Sequence, residues 1–275
     1  MMLETRSSLA TYLTDLQAEG RIAFTRHEAI AALGVTEGAF LKAAARLQKR
    51  RMLLNPRHGF YVVVPPQFLS WGAPPPPWYI DALMQHEARP YYVGLLKAAE
   101  IYGATHHAVM EFQVVVDRQL PKIRAGRSWI TFHFRKDLEI VGNGIVQRKT
   151  DTGIMSVSSP ELTALDLLRY IHVAGGVDAV ATVLADLGGK IDGEKLDAMA
   201  VHFDRAYVQR LGYLLDRLGH GERTQALHSN LTATKLAPWV ALEPPKRGAA
   251  ASAVTPLERN ERWRVTVQRY PEADE

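Results

Sequence analysis

The chain has 275 residues, of which 47% are hydrophobic and 23% are charged, and it contains no cysteine. This length allows a sizeable core and more than one domain. The lack of cysteine excludes disulfides, iron–sulfur clusters and cysteine-ligated zinc. The sequence has no apolar run long enough to span a bilayer and no signal-peptide pattern at its start. These features favour a cytoplasmic protein.

The positive charge is concentrated near the N-terminus. The formal net charge is +4. Residues 1–69 contain nine Lys or Arg and five Asp or Glu, whereas residues 70–275 contain 24 of each. Localised positive charge is typical of a nucleic-acid-binding module.

Three helices are predicted in the first 51 residues. The first begins at Ser7 or Ser8 and carries apolar residues at helical spacing. The second begins at Thr25, which forms a capping box with Glu28. It ends at Gly34, which permits the sharp turn into the third helix.

The third predicted helix has two different faces. Thr36 caps it, and at about 100° per residue Phe40, Ala44 and Leu47 fall on one side. The other side has small residues at its start and basic residues further along, namely Gly38, Ala39, Lys42, Arg46, Lys49 and, beside them, Arg50. Small residues would let the helix enter a DNA major groove, and the basic residues would contact phosphates and guanine edges.

A β-hairpin is predicted after the third helix, with strands at 52–54 and 60–64. Three helices followed by a hairpin is the winged helix-turn-helix arrangement. Arg57 and His58 lie at the tip of the wing, where they would reach a phosphate or a minor groove. Two alternatives remain open: the basic stripe is only a solvated helix face, or the module binds a protein.

Residues 79–275 are predicted to form a mixed α/β domain with a helical C-terminal part. A Pro-rich linker at 70–78 joins this domain to the winged helix-turn-helix module. The fold class is therefore α+β. The aromatic residues near the linker predict that the linker packs against another part of the protein. Helices are predicted at 79–87, 92–102, 177–187, 194–203, 207–218 and 223–231, and another begins after Ser159. Strands are predicted at 112–117 and 127–134, a hairpin turn at Asn143-Gly144, and a strand at 262–270 that would add to the sheet edge.

The sequence contains no motif of a known enzyme class. It lacks a phosphate loop, a Gly-x-Ser-x-Gly elbow and a His-Glu-x-x-His motif, so no catalytic residue, metal or cofactor is predicted. His106 and His107 form a pair without further ligands at suitable spacing. An alternative is a Mg²⁺-dependent nuclease or nucleotidyltransferase that combines Glu100, Asp117 and a lysine. More simply, Asp117 would cap the turn after its strand.

A second basic stretch lies between two predicted strands, at residues 117–127. It contains Arg118, Lys122, Arg124 and Arg127. These basic residues either lie at an exposed hairpin tip without a binding role or form a second surface for DNA, RNA or an acidic partner.

Six segments, taken in order, resemble the AbiEi antitoxin family of type IV toxin–antitoxin systems. They are "GFYVVVPP", "PPPWYIDALM", "RPYYVGLLKAAEIYGATHH", "FQVVVDRQLPKIRAGRSWITFHF", "SVSSPELTALDLLRY" and "VQRLGYLLDRLGH". The resemblance implies a winged-helix domain that represses its own promoter by binding inverted repeats in double-stranded DNA. It also implies a C-terminal domain that counteracts a nucleotidyltransferase toxin encoded next door, without forming a stable complex with it.

Such systems are linked to abortive infection as a defence against phage, and the resemblance implies no catalytic residues. The DNA-binding role would fall on the helix at 36–51 and on the wing. A pure transcriptional regulator without a toxin partner is a further alternative.

Overall fold

The computed structural model describes residues 8–105, 109–233, 236–244 and 255–272. The chain divides into two compact units. The first contains residues 1–92, 110–136 and 147–156, and the second contains residues 93–109, 137–146 and 157–275. Helices and mixed sheets make up both units, and the predicted α+β class is confirmed.

The first unit begins with three helices and three short strands. In chain order these are α1 (Leu9–Ala18), β1 (Ala23–Thr25), α2 (Arg26–Leu33), α3 (Glu37–Lys49), β2 (Leu53–Arg57) and β3 (Phe60–Val63). The strands form an antiparallel sheet in the order β1-β3-β2. The sequence did not predict β1, because its three residues are too few to show an alternating pattern.

The predicted helix boundaries in this region are confirmed by their caps. The Ser8 hydroxyl accepts a hydrogen bond from the Thr11 amide at 3.2 Å. Thr25 and Glu28 form both bonds of the capping box. Gly34 ends α2 in the left-handed conformation, with a φ of 60°, which glycine adopts without steric cost.

The Pro-rich segment belongs to the first unit and forms two short 3₁₀ turns, one ending at Phe68 and the other at Trp78. Their rings meet edge to face at 5.1 Å, and the Trp78 indole donates to Asp151 at 2.6 Å. The predicted packing is therefore confirmed for Trp78, whereas Trp71 is 58% exposed.

A six-stranded mixed sheet follows, with strand order β6-β7-β5-β4-β9-β8. In chain order the elements are α4 (Ile80–His86), β4 (Tyr91–Val93), α5 (Leu95–Ile101), β5 (Glu111–Val116), β6 (Ile123–Ala125), β7 (Ser128–Phe134), β8 (Ile145–Thr150) and β9 (Gly153–Ser158). Strands β5 and β7 are parallel, whereas β6 runs antiparallel to β7 at the sheet edge.

Two predictions for this region are wrong. The single helix at 92–102 is instead β4 followed by α5, because Tyr91–Val93 is a buried strand, whose Val93 pairs with Val157 of β9, before Gly94 precedes the helix. Asn143 and Gly144 end a 3₁₀ helix rather than forming a hairpin turn. A Cβ at Gly144 would lie 2.7 Å from the Met199 side chain, so this glycine serves a close packing contact.

Helices dominate the second unit. They are α6 (Pro160–Arg169), α7 (Val177–Leu187), α8 (Gly193–Ala200), α9 (Arg205–Arg217) and α10 (Gln225–Ala233). Three short strands follow, β10 (Val240–Ala241), β11 (Glu258–Asn260) and β12 (Val265–Val267), and they form a separate sheet in the order β10-β12-β11.

The prediction that residues 262–270 extend the central sheet is wrong, because β12 lies in this separate sheet. The fully buried Trp263, two residues before β12, holds this segment against α9 instead. Its indole donates to Asp216 at 2.7 Å. The ring also lies so close to Gly212 that a Cβ there would be 2.3 Å from it. Packing on a helix has therefore outweighed strand pairing at the sheet edge.

Candidate nucleic-acid interface

The inner side of α3 is packed into the first unit as predicted. Phe40, Ala44 and Leu47 are all buried. The Phe40 ring meets Tyr61 of β3 edge to face, with 5.3 Å between centroids. Burial raises the pKa of the Tyr61 hydroxyl above its usual value. The orientation of α3 is thus set by core contacts, and its opposite side is free to meet a ligand.

The outer side of α3 is exposed and basic. Lys42, Arg46, Lys49 and Arg50 are all exposed. Across the described ranges, none of these four side chains forms a hydrogen bond or an ion pair. Their charges are therefore not neutralised by carboxylates of the described chain.

The start of α3 is capped and open. The Thr36 hydroxyl accepts a hydrogen bond from the Ala39 amide at 3.3 Å. Gly38 and Ala39 are exposed, and a Cβ added at Gly38 would meet no atom within 4 Å. Neither residue is needed to fill space inside the protein, so both leave the helix start accessible to a close partner.

The wing arginine has partners inside the first unit. The Arg57 guanidinium forms an ion pair with Glu87 at 2.9 Å and donates to the Pro121 carbonyl at 2.5 Å. It also lies 5.5 Å from the centroid of the Phe132 ring. Its side chain is only 16% exposed. The structure therefore directs Arg57 toward the six-stranded sheet.

The other wing residue, His58, is exposed but also linked to its surroundings. Its Nε2 accepts a hydrogen bond from Arg26 at 3.0 Å, and its carbonyl accepts one from His86 at 3.0 Å. The same Arg26 donates to Glu37, in the first turn of α3, at 2.6 Å. Arg26 therefore joins the tip of the wing to the start of α3, a role that no sequence pattern indicated.

The second basic stretch lies at an edge of the six-stranded sheet, where Arg124 is in β6 and its three companions are in the flanking turns. Arg118, Lys122, Arg124 and Arg127 are all exposed. The Lys122 ammonium lies 4.3 Å from the Trp129 ring centroid, and the Arg124 guanidinium lies 6.0 Å from it. Because Arg57 binds the carbonyl of Pro121, next to Lys122, the wing and this stretch are brought together.

The carboxylates of the alternative enzyme have structural partners. Glu100 accepts hydrogen bonds from Lys97 and from the Val109 amide, each at 2.9 Å. Asp117 faces Arg89 at 3.6 Å. Within the described ranges, no group of three or more His, Asp or Glu residues could hold a metal ion. His106 and His107 lie outside the described residues. No described helix is long and apolar enough to cross a bilayer.

These features define an α+β protein whose first unit presents an exposed basic helix. Residues 92–217 match the family model described as the AbiEi antitoxin C-terminal domain. This match supports the family that the sequence motifs predicted, over these residues.

The fold is also similar to a solved structure. The crystal structure of the RV2827C protein from Mycobacterium tuberculosis superposes with a TM-score of 0.68 at 15% sequence identity. The alignment covers 94% of this chain and 90% of that one. At this identity the likeness concerns the fold alone. A comparison with curated proteins gave no match.

Proposed function

We propose that this protein represses transcription of its own operon by binding promoter DNA, and that it is also the antitoxin of a type IV toxin–antitoxin pair. Residues 1–69 would act as a winged helix-turn-helix module on inverted repeats in double-stranded DNA. The helix and strand order of this region and the exposed basic face of α3 support that role.

The observation that carries the DNA-binding proposal is the set of cations on α3 that have no carboxylate partner in the part of the chain that the structure describes. Lys42, Arg46, Lys49 and Arg50 would receive their counter-charge from DNA phosphates, whose neutralisation releases bound counterions. Thr36, Gly38 and Ala39 would lie closest to the base edges, because the N-terminal residues of a recognition helix enter the major groove.

The two wing residues would have different tasks. Since Arg57 is mostly buried among internal partners, it would hold the wing in place. His58 is exposed and would stay near the DNA backbone.

The antitoxin role rests on the family match over residues 92–217. This domain would counteract a nucleotidyltransferase toxin encoded by an adjacent gene, without a stable complex, in an abortive-infection response to phage. Both roles would be carried out in the cytoplasm.

The DNA-binding proposal is tested by measuring the affinity of the full chain for its own upstream DNA. We expect Lys42→Ala and Arg46→Ala each to lose about 1–3 kcal/mol of binding free energy. Lys195→Ala, which removes an exposed lysine of α8, is the matched control and should bind like the wild type. Unchanged affinity in both α3 variants would refute the assignment of α3 as the recognition helix.

The antitoxin proposal is tested by co-expressing this protein with the product of the adjacent gene. We expect the adjacent gene to be toxic alone and growth to recover when this protein is present. A Lys42→Ala/Arg46→Ala double variant should still restore growth, because α3 lies outside the matched antitoxin domain. Absence of toxicity, or failure of the wild-type protein to restore growth, would leave a transcriptional regulator without a toxin partner.

A further inference from the structure

We infer that the second basic surface, formed by Arg118, Lys122, Arg124 and Arg127, binds the phosphate backbone of the DNA duplex that α3 contacts. It thereby performs the DNA-contacting task expected of the wing arginine. This inference rests on the proposed DNA binding and deepens it, because it names a second contact region within the first unit.

The charge of this surface is not neutralised within the described protein. Four exposed cations fall within the ten residues 118–127. The nearest carboxylate in the sequence, Asp117, faces Arg89 at 3.6 Å. None of the four cations forms an ion pair with any residue in the described part of the chain. Such a surface attracts a polyanion, and it shares this property with the outer side of α3.

The surface is fixed to the wing through Arg57. That side chain reaches the loop at the Pro121 carbonyl, pairs with Glu87 and lies over Phe132. The half-buried Arg57 therefore connects the wing to the segment that carries the four exposed cations. Because these contacts restrain the loop, its cations would bind a ligand with a smaller loss of conformational entropy.

Trp129 supports the two central cations of this surface. Its half-buried ring lies 4.3 Å from the Lys122 ammonium and 6.0 Å from the Arg124 guanidinium. Cation–π contacts of this kind attract a cation without removing its charge. They would hold the Lys122 and Arg124 side chains above the sheet edge with their charges available to phosphates.

The test uses the full chain with Lys122→Ala/Arg124→Ala and a matched control, Lys190→Ala/Lys195→Ala, which removes two exposed lysines elsewhere. Dissociation constants would be measured at several salt concentrations on the upstream DNA and on an unrelated duplex. We expect the test variant to bind both duplexes roughly tenfold more weakly at low salt. The slope of log K against log salt is negative, and its magnitude should decrease by about two, one unit for each lost phosphate contact. The control should match the wild type.

The possible failures are distinct. If the wild type binds no DNA, the proposed DNA binding is itself wrong. If the wild type binds and the test variant has an unchanged salt slope, only the second contact region is wrong. A loss confined to the upstream DNA would mean base reading instead of phosphate contact. Normal DNA binding together with lost antitoxin activity would assign the surface to a protein or RNA partner. If the alanine variant does not fold, Arg127→Gln measured alone repeats the test.

Discussion

Arg46 of α3 and Arg57 of the wing are the same type of side chain, yet they lie in opposite environments. Lys42 and Arg46 are exposed and have no carboxylate partner among the described residues. Arg57 is 16% exposed, with an ion pair and a backbone carbonyl as partners. A basic residue at a position typical of DNA contact is therefore insufficient evidence of that contact. Its neighbours in space decide whether its charge is available.

The largest expected effect comes from reversing a charge on α3. Arg46→Glu removes a phosphate contact and adds repulsion, so we expect upstream-DNA affinity to fall by about 100-fold or more. Fluorescence anisotropy would measure this, and the melting temperature should change little because Arg46 is exposed and unpaired within the described chain. Lys195→Glu is the matched reversal on α8. Equal losses in the two variants would show only a general charge effect.

The sequence predicted α3 well because every signal that defines it is local. The Thr36 cap, the buried Phe40 and the basic side lie within about fifteen residues, so helical periodicity was enough to assign them. The environment of Arg57 was not predictable in this way, since its partners Glu87 and Pro121 are 30 and 64 residues further along. No periodic pattern reports a contact at that separation.

The same distinction explains the errors elsewhere. Asn143-Gly144 is a strong local hairpin signal, but Gly144 is required by its close contact with Met199 on α8. The strand near the C-terminus was recognised, whereas its position depends on Trp263 reaching Asp216. Local propensity identified many elements, and distant packing decided their partners.

A side chain added at the start of α3 tests whether this helix enters a groove. Gly38→Leu should weaken upstream-DNA binding by about tenfold, because the added side chain points into space that is empty in the protein and would be occupied by DNA. Gly38→Ala is the control, and it should raise the free energy of unfolding by up to about 1 kcal/mol while retaining binding. Unimpaired binding by Gly38→Leu would indicate that α3 contacts phosphates only.

Removing the wing arginine should affect stability more than DNA affinity. Arg57→Ala leaves Glu87 without its partner, and we expect the free energy of unfolding to fall by about 1–3 kcal/mol, as for hydrogen bonds to charged groups. DNA affinity should fall only about fivefold, through displacement of the second basic surface. Urea denaturation would measure stability, and a double-mutant cycle with Glu87→Ala should show strong coupling. A loss of DNA affinity as large as that of Arg46→Glu would instead make Arg57 a direct contact.

The smallest effect on DNA affinity is expected at Arg26 and its partner Glu37, where the two substitutions should change the affinity in opposite directions. Arg26 holds Glu37 at the start of α3 and His58 at the wing tip, so Arg26→Gln should weaken DNA binding about threefold by loosening both. Glu37→Gln keeps an oxygen that accepts from Arg26 and removes a negative charge near the duplex. The Glu37 side chain is 59% exposed, and such a pair contributes at most about 1 kcal/mol to stability. Because Glu37→Gln removes a negative charge near the duplex at little cost in stability, it should strengthen DNA binding about twofold. If Arg26 acted only through its charge, restoring the net charge by combining the two substitutions would recover wild-type affinity. If Arg26 positions the two elements, the double variant should still bind more weakly than the wild type, because Glu37→Gln does not restore the lost contacts to Glu37 and His58.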